Sequence, residues 1–211
     1  DTFSEYTAIV YRNLPSDDPI EKTYRQVGKD VYKVNQMFAK FAKQHDIPFE
    51  DLKVSIQGEN SYGWILSYLA PLMSTATVVP LDRLLEGTET TNLLNRSRAQ
   101  IYVGDAKNFL ALVPHLDELP HLKIIYLLNE HKLNKKQKQE LAEVKRTIDF
   151  PLFDYWDEVE KSSQTAPVRV DEPDPHAAQI LLFTSGTTSQ SKGVLLSQFN
   201  LASNVNQLMG S

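Results

Sequence analysis

The feature that most constrains the fold of this chain is the alternation of short strand-like segments with longer helix-like segments. Apolar residues recur every three or four positions from Tyr24 to Phe41, and this period predicts an amphipathic helix. The strand-like segment Leu52–Ile56 follows, and the two patterns then alternate through most of the chain. Because strands joined by helices lie parallel, this order predicts an α/β fold with a largely parallel, doubly wound sheet flanked by helices.

The boundaries of these segments follow from capping residues and from the composition of each apolar run. Thr23 and Gln26 form a predicted capping box before the first helix, and Asn60 and Asn134 are predicted to cap later helices. The run Ile124–Leu128 is apolar at every position, which is typical of a strand buried on both faces. Other strands are predicted at 77–80, 101–103 and 179–183, and other helices at about 88–98 and 106–112.

Composition and charge argue against several classes of function. The 22 Lys and Arg residues are outnumbered by 27 Asp and Glu residues, and the net charge of −5 disfavours a broad surface for nucleic acid or anionic lipid. The absence of cysteine excludes disulfides, thiolate catalysis and Cys-ligated zinc, and the five histidines lack the spacing of a metal site. No apolar run approaches the roughly 20 residues of a membrane span and no leader is evident, so we expect a cytoplasmic protein.

Two oppositely charged blocks precede a segment that contains several prolines. Residues 131–146 contain six Lys or Arg against two Glu, and residues 154–174 contain seven Asp or Glu against two basic residues. The simpler interpretation is a solvated helix face followed by an acidic connector, and the alternative is a basic docking patch for an acidic partner. Three prolines in 162–175 predict a linker between an N-terminal α/β subdomain, 1–161, and the start of a second subdomain, 176–211.

The segment that carries chemistry follows the predicted strand at 179–183. Residues 184–193 contain six Ser or Thr hydroxyls, two glycines and one lysine, and no bulky apolar side chain. Glycines let backbone N–H groups approach a ligand, hydroxyls donate to phosphate oxygens and a lysine supplies positive charge, so the segment has the composition of a polyphosphate-binding loop. A Ser/Thr-rich hairpin is the alternative. A Walker A loop is disfavoured, because Lys192 precedes Gly193 and apolar residues follow.

Four segments resemble, in order and spacing, motifs of the AMP-forming, acyl-adenylate-making ligase superfamily. This family includes acyl-CoA synthetases, luciferases and the adenylation domains of peptide synthetases. Leu181–Gly193 resembles the phosphate-loop signature, and three earlier segments resemble motifs that precede it in the family: 23–27, 58–64 and 78–82. The resemblance covers residues 20–205 and is preferred to an ordinary hairpin. Ser189 and Ser191 stand where the family usually has Gly and Pro, and Gln198 stands where it often has His.

The resemblance implies the N-terminal subdomain of an adenylate-forming ligase and a reaction for the parent enzyme. Such an enzyme activates a carboxylic acid, here most simply a fatty acid, with ATP and Mg²⁺ to form acyl-AMP and pyrophosphate. It then transfers the acyl group to the thiol of CoA or of the phosphopantetheine on an acyl carrier protein. The family motif assigns phosphate contacts to Thr184, Ser185, Gly186, Thr187, Thr188 and Lys192.

The resemblance also implies what this chain does not contain. The family's catalytic residues are expected beyond Ser211, so we expect the chain by itself to be inactive. An uncovered sheet edge predicts that the chain self-associates or has a mobile C-terminal segment. Asn60, Trp64 and Asp82 also fall in family-like segments, but we assign them fold roles, as a helix cap, a core aromatic and a strand-end turn.

Three alternatives remain open at this point. An amino-acid adenylation domain of a peptide synthetase would share the phosphate loop, although the segment 58–64 favours a fatty acyl ligase. A degenerate, non-catalytic binding module is supported by Ser189, Ser191 and Gln198. An unrelated P-loop kinase is disfavoured by the order of Lys192 and Gly193.

Overall fold

The computed structural model describes residues 3–184 and 191–209 of the chain. The strands are β1 (Thr7–Tyr11), β2 (Ile20–Thr23), β3 (Lys53–Gln57), β4 (Thr77–Leu81), β5 (Ile101–Asp105), β6 (Ile124–Leu128), β7 (Leu152–Asp154), β8 (Ala178–Thr184) and β9 (Lys192–Ser197). The helices are α1 (Tyr24–Gln44), α2 (Tyr62–Leu72), α3 (Gly87–Ser97), α4 (Ala106–Leu112), α5 (Lys135–Thr147), α6 (Tyr155–Ser163) and α7 (Gln198–Met209).

Seven strands form one sheet in the order β7–β6–β5–β3–β4–β8–β9. Every neighbouring pair is parallel except β8 and β9, which are antiparallel. The predicted α/β fold with a largely parallel, doubly wound sheet is therefore confirmed. Strands β1 and β2 form a separate antiparallel hairpin. This hairpin was not predicted from the sequence, although Ala8–Tyr11 in its first strand is an apolar run.

Helices cover both faces of the sheet, and the buried side chains form two cores. Helices α1, α2 and α6 enclose the first core, which contains Phe38, and helices α3, α4 and α5 enclose the second, which contains Phe109. Strand β6 is buried at every position, as predicted, because its side chains alternate between the two cores. The apolar stripe of the first predicted helix lies in the first core, as the period of α1 requires.

Two of the predicted helix caps are confirmed and one is wrong. Thr23 and Gln26 form a capping box at the start of α1, and Asn134 forms another with the third residue of α5. The cap of α2 is Ser61, whose Oγ accepts a hydrogen bond from the backbone N–H of Trp64 at 3.2 Å. A capping oxygen must reach an N–H two or three residues further on, and the helix begins one residue too late for Asn60 to do so.

The acidic segment is not wholly the connector that the sequence suggested. Residues 155–163 form α6, which begins where the Asp154 carboxylate accepts hydrogen bonds from two backbone N–H groups. Tyr155 and Val159 are buried in the first core, whereas the acidic residues of α6 lie towards solvent. These two side chains, one helical turn apart, pack a largely charged helix against the core.

The C-terminal strands extend the same sheet, although they sit at its edge. Strand β8 pairs with β4 at Ile180, and β9 pairs only with β8. The predicted strand at 179–183 is confirmed, and it is buried only at its start: Gln179 and Ile180 are buried, whereas Leu181–Phe183 are half-buried. Residues 164–177 contain no helix or strand. The division into two subdomains joined by a linker at 162–175 stays a prediction.

Strand β9 and helix α7 expose apolar side chains at this edge. Leu195 is 60% exposed, and Phe199 and Val205 are each 51% exposed. An edge strand with such side chains can pair with another chain, so self-association stays a prediction that this surface supports. Among the residues that the structure describes, no helix is long and apolar enough to span a membrane.

Candidate functional site

The carboxyl ends of six parallel strands meet at one edge of the sheet, and this edge carries the candidate site. In open α/β sheets, ligands bind outside the carboxyl ends of the strands, where helix N-termini and loops supply polar groups. Thr184 is the last residue of β8 and therefore lies at this edge. Asp82 follows β4 at the same edge, where its carboxylate accepts a hydrogen bond from the backbone N–H of Leu84 at 2.9 Å, which confirms its turn role.

Thr184 and Lys192 lie opposite each other where β8 and β9 diverge. They are register partners, and the Thr184 hydroxyl donates a hydrogen bond to the Lys192 carbonyl at 3.4 Å. Both residues are exposed. Within residues 3–184 and 191–209, the Lys192 ammonium has no hydrogen bond or ion pair, so it is available to an anion. The other predicted phosphate contacts lie outside the described residues: Ser185, Gly186, Thr187 and Thr188.

Helix α3 contacts the segment that leads into Lys192. A guanidinium nitrogen of Arg96 donates a hydrogen bond to the carbonyl of Ser191 at 2.7 Å, and its central carbon lies 5.1 Å from the centre of the Phe183 ring. The Ser191 hydroxyl donates to the carboxylate of Glu89 at 3.4 Å. The sequence analysis missed both helix residues. An arginine in the last turn of a helix is already explained by the helix dipole, and so it carries no further signal.

A buried glutamine attaches α3 to the sheet. The side-chain amide of Gln57 donates to the Thr90 hydroxyl and to the Asp82 carbonyl, each at 3.0 Å. Its oxygen accepts a hydrogen bond from the Tyr102 hydroxyl at 2.6 Å. Burial raises the pKa of Tyr102, which therefore stays a neutral donor. The carboxyl end of β3, the turn after β4 and helix α3 are thus joined through one fully hydrogen-bonded side chain.

A second polar feature lies where the direction of the strand connections reverses, between β3 and β5. The Asp105 carboxylate is 6% exposed and accepts hydrogen bonds from the Glu59 backbone N–H at 2.9 Å and from the Asn129 amide at 2.6 Å. A Cβ atom at Gly58 would lie 2.5 Å from this carboxyl group, so only glycine allows the close approach. Asp105 therefore occupies the point of reversal, and its hydrogen bonds connect the carboxyl ends of β3, β5 and β6.

Burial raises the pKa of Asp105 above its ordinary value of 3.8, despite the opposing hydrogen bonds. A carboxyl group whose pKa is higher in the folded chain contributes stability at low pH and loses it as the pH rises through the raised value. We therefore expect Asp105→Asn, which cannot ionise, to gain stability relative to the wild type as the pH rises above about 4. Urea unfolding at several pH values measures this.

The exposed Asp149 provides the control, because Asp149→Asn removes the same charge from the surface. We expect its stability relative to the wild type to change little over this pH range. A wild type that gains stability over Asp105→Asn as the pH rises would contradict the assignment of a raised pKa to this group.

Gln198, which stands where the family often has His, forms hydrogen bonds that join neighbouring elements of the fold. The side-chain amide of Gln198 donates to the Leu72 carbonyl at 2.8 Å and to the Gln179 side-chain oxygen at 2.9 Å. Ser197 caps α7, because its hydroxyl accepts from the Asn200 N–H at 3.2 Å. These contacts join the start of α7 to β8 and to the end of α2.

Comparisons with known proteins place this geometry in a family. A model described as AMP-binding enzyme matches residues 1–210. The long-chain-fatty-acid–CoA ligase ACSBG1 of Rattus norvegicus is 27% identical over 149 residues, which are 70% of this chain and 19% of that protein. The chain therefore spans about a fifth of the length of this curated relative.

Solved structures share the fold. The adenylation domain of a carboxylic acid reductase from Segniliparus rugosus, in complex with AMP and a co-purified carboxylic acid, matches 88% of this chain and 30% of its own, with a TM-score of 0.71 and 13% identity. A long-chain-fatty-acid-CoA ligase, FadD1, from Archaeoglobus fulgidus matches 98% of this chain and 36% of its own, with a TM-score of 0.67 and 21% identity. At these identities the match concerns the fold alone.

Proposed function

Because this chain belongs to the AMP-binding enzyme family, whose members form adenylates, we propose that it is the N-terminal part of an ATP-dependent, AMP-forming ligase. The ligase activates a fatty acid as acyl-AMP and transfers the acyl group to a thiol. The observation that carries the proposal is the pairing of Thr184 with Lys192 at the carboxyl edge of the sheet. Ser185, Gly186, Thr187 and Thr188 complete the proposed set of phosphate contacts.

The chemistry explains why these residue types are needed. A carboxylate oxygen attacks the α-phosphorus of ATP, the bond to the β-phosphate oxygen breaks, and the electron pair leaves with pyrophosphate. Negative charge therefore grows on the β and γ phosphates during the step, and fixed donors around them lower the barrier. The Lys192 ammonium is such a donor, and the Thr184 hydroxyl becomes one when its proton turns from the Lys192 carbonyl to a phosphate oxygen.

The proposed substrates, a fatty acid, ATP and CoA, are supported by the names of similar proteins. The relative from Rattus norvegicus is a long-chain-fatty-acid–CoA ligase, which supports a fatty acid and CoA. The reductase domain that binds AMP and a carboxylic acid supports the nucleotide and the carboxylate. A carrier-protein phosphopantetheine is the alternative acceptor, because it presents the same thiol.

Magnesium is proposed as a companion of the nucleotide. The described ranges contain no group of three or more His, Asp or Glu residues that could hold a metal ion. At nucleotide sites Mg²⁺ is usually bound by substrate phosphates and water, with one or two carboxylates from the protein. Bound there, Mg²⁺ would neutralise phosphate charge alongside Lys192.

ATP–pyrophosphate exchange tests the proposed function. We expect the intact ligase to catalyse exchange that depends on a long-chain fatty acid such as palmitate, and we expect the 211-residue chain alone to show none. Exchange that depends on amino acids instead would identify a peptide-synthetase domain. No exchange by a folded intact protein with any carboxylic acid would favour a non-catalytic binding module.

A further inference from the structure

We propose that Arg96 is a positioning residue for Lys192, which it holds in place through the preceding peptide group. The proposal rests on the function proposed above, because it concerns the same phosphate-binding lysine. Arg96 itself contacts the ring of Phe183, which lies on β8, and the backbone of Ser191, which directly precedes β9.

The peptide group between Ser191 and Lys192 links the Arg96 contact to the lysine. The carbonyl of Ser191 and the backbone nitrogen of Lys192 belong to one planar peptide group. A hydrogen bond of 2.7 Å from Arg96 to that carbonyl therefore also restricts the orientation of the backbone that enters Lys192. The donor is charged, which makes this bond stronger than one between neutral groups.

One guanidinium group contacts both sides of the hairpin, at Phe183 on β8 and at Ser191 directly before β9. Its distance of 5.1 Å from the centre of the Phe183 ring lies within the range of a cation–π contact. Phe183 is the register partner of Gly193 and directly precedes Thr184. Arg96 thus contacts residues adjacent to both described members of the candidate phosphate site.

Two elements support the hairpin, strand β4 and helix α3. Strand β9 is an edge strand, and β8 has a register partner on β4 only at Ile180. Helix α3, in contrast, is held by the buried side chains of Leu93 and Leu94 and by the Thr90–Gln57 hydrogen bond. The helix therefore gives the open end of the hairpin a support that does not depend on strand pairing.

Helix α3 makes a second contact with the same residue. The Ser191 hydroxyl donates to the Glu89 carboxylate at 3.4 Å, so two side chains of the helix, Glu89 and Arg96, restrain the residue that precedes Lys192.

Nuclear magnetic resonance on the isotope-labelled 211-residue chain tests the proposal with two measurements. The first is amide hydrogen exchange at Lys192–Val194, compared with exchange in the buried strand β3. The second is a titration with inorganic tripolyphosphate, followed at the Thr184 and Lys192 amides. The variants are Arg96→Ala, Arg96→Lys and Lys192→Ala. Arg146→Ala is the control, because it removes an exposed arginine from another helix.

We expect Arg96→Ala to speed amide exchange at 192–194 by about tenfold, with no change in β3, because only the local restraint is lost. Tripolyphosphate should bind it about five- to tenfold more weakly, because part of its binding energy must now order Lys192. Arg96→Lys should recover part of both effects, since lysine retains a charged donor but not the planar stack. Arg146→Ala should match the wild type.

The outcomes separate this proposal from the proposed function. Unchanged exchange at 192–194 in Arg96→Ala overturns the positioning role, as does an equal increase in β3. Faster exchange with unchanged tripolyphosphate affinity also overturns it, because Arg96 would then only stabilise the hairpin. If Lys192→Ala binds tripolyphosphate as well as the wild type does, the proposed function fails first, and the role of Arg96 at that site fails with it.

Discussion

Replacing Lys192 with alanine is expected to slow acyl-adenylate formation in the intact ligase by roughly 30- to 1,000-fold. This factor corresponds to about 2–4 kcal/mol, the usual cost of removing one charged donor from a developing negative charge. Charge grows on pyrophosphate during the step, so the lysine stabilises the transition state more than it stabilises bound ATP. The loss should therefore fall on turnover rather than on the apparent affinity for ATP.

The same substitution should leave the free energy of unfolding nearly unchanged. Lys192 is exposed, and its ammonium has no partner within the described residues. Lys138→Ala is a matched control, because it removes an exposed lysine from α5, away from the site. Steady-state adenylation kinetics and urea unfolding are the two measurements. A rate within twofold of the wild type would mean that this lysine does not act on the phosphates as proposed.

Replacing Gln57 with methionine is expected to lower the free energy of unfolding by about 2–4 kcal/mol. Methionine is similar in size but offers no amide, so the buried Tyr102 hydroxyl and the Thr90 hydroxyl each lose a partner. The carbonyl of Asp82 also loses its hydrogen bond from Gln57. Unpaired polar groups in the interior cost more than the net gain that their hydrogen bonds provided.

A double-mutant cycle separates this cost from a loss of packing. Tyr102→Phe alone leaves the Gln57 oxygen unpaired, whereas Gln57→Met combined with Tyr102→Phe removes both partners of that hydrogen bond. We expect the double variant to lose less stability than the two single variants lose together, by about 1 kcal/mol. Gln139→Met, at an exposed position of α5, is the control. Simple additivity in chemical denaturation would argue against the network.

Of the polar residues at the carboxyl edge of the sheet, only some could be predicted from the sequence. The hydroxyl-rich segment stands out because its composition is unusual over ten neighbouring residues, and Thr184 and Lys192 do meet across the hairpin. Asp105 carried no such signal. A strand ending in Gly-Asp is typical of an ordinary turn, and its burial depends on the glycine at position 58 and the amide at position 129.

The sequence by itself determined the local elements and the class of fold. Periods of 3.6 and 2 residues, together with caps such as Thr23 and Asn134, depend on neighbours within a few positions, so they can be read directly. The same holds for the composition of the phosphate-binding segment. Helix α6 was missed because its buried residues, Tyr155 and Val159, stand among charged ones. Strand β1 was not predicted, although Ala8–Tyr11 is an apolar run.

Only the tertiary structure decided which elements support the site. Arg96 and Ser191 are 95 residues apart, and Gln57 reaches Tyr102 across 45 residues. These contacts exist because the order of strands in the sheet places β8 beside β4, next to the helix that follows β4. Strand order is set by the burial of both faces of the sheet as a whole, a property of the assembled cores that no local segment carries.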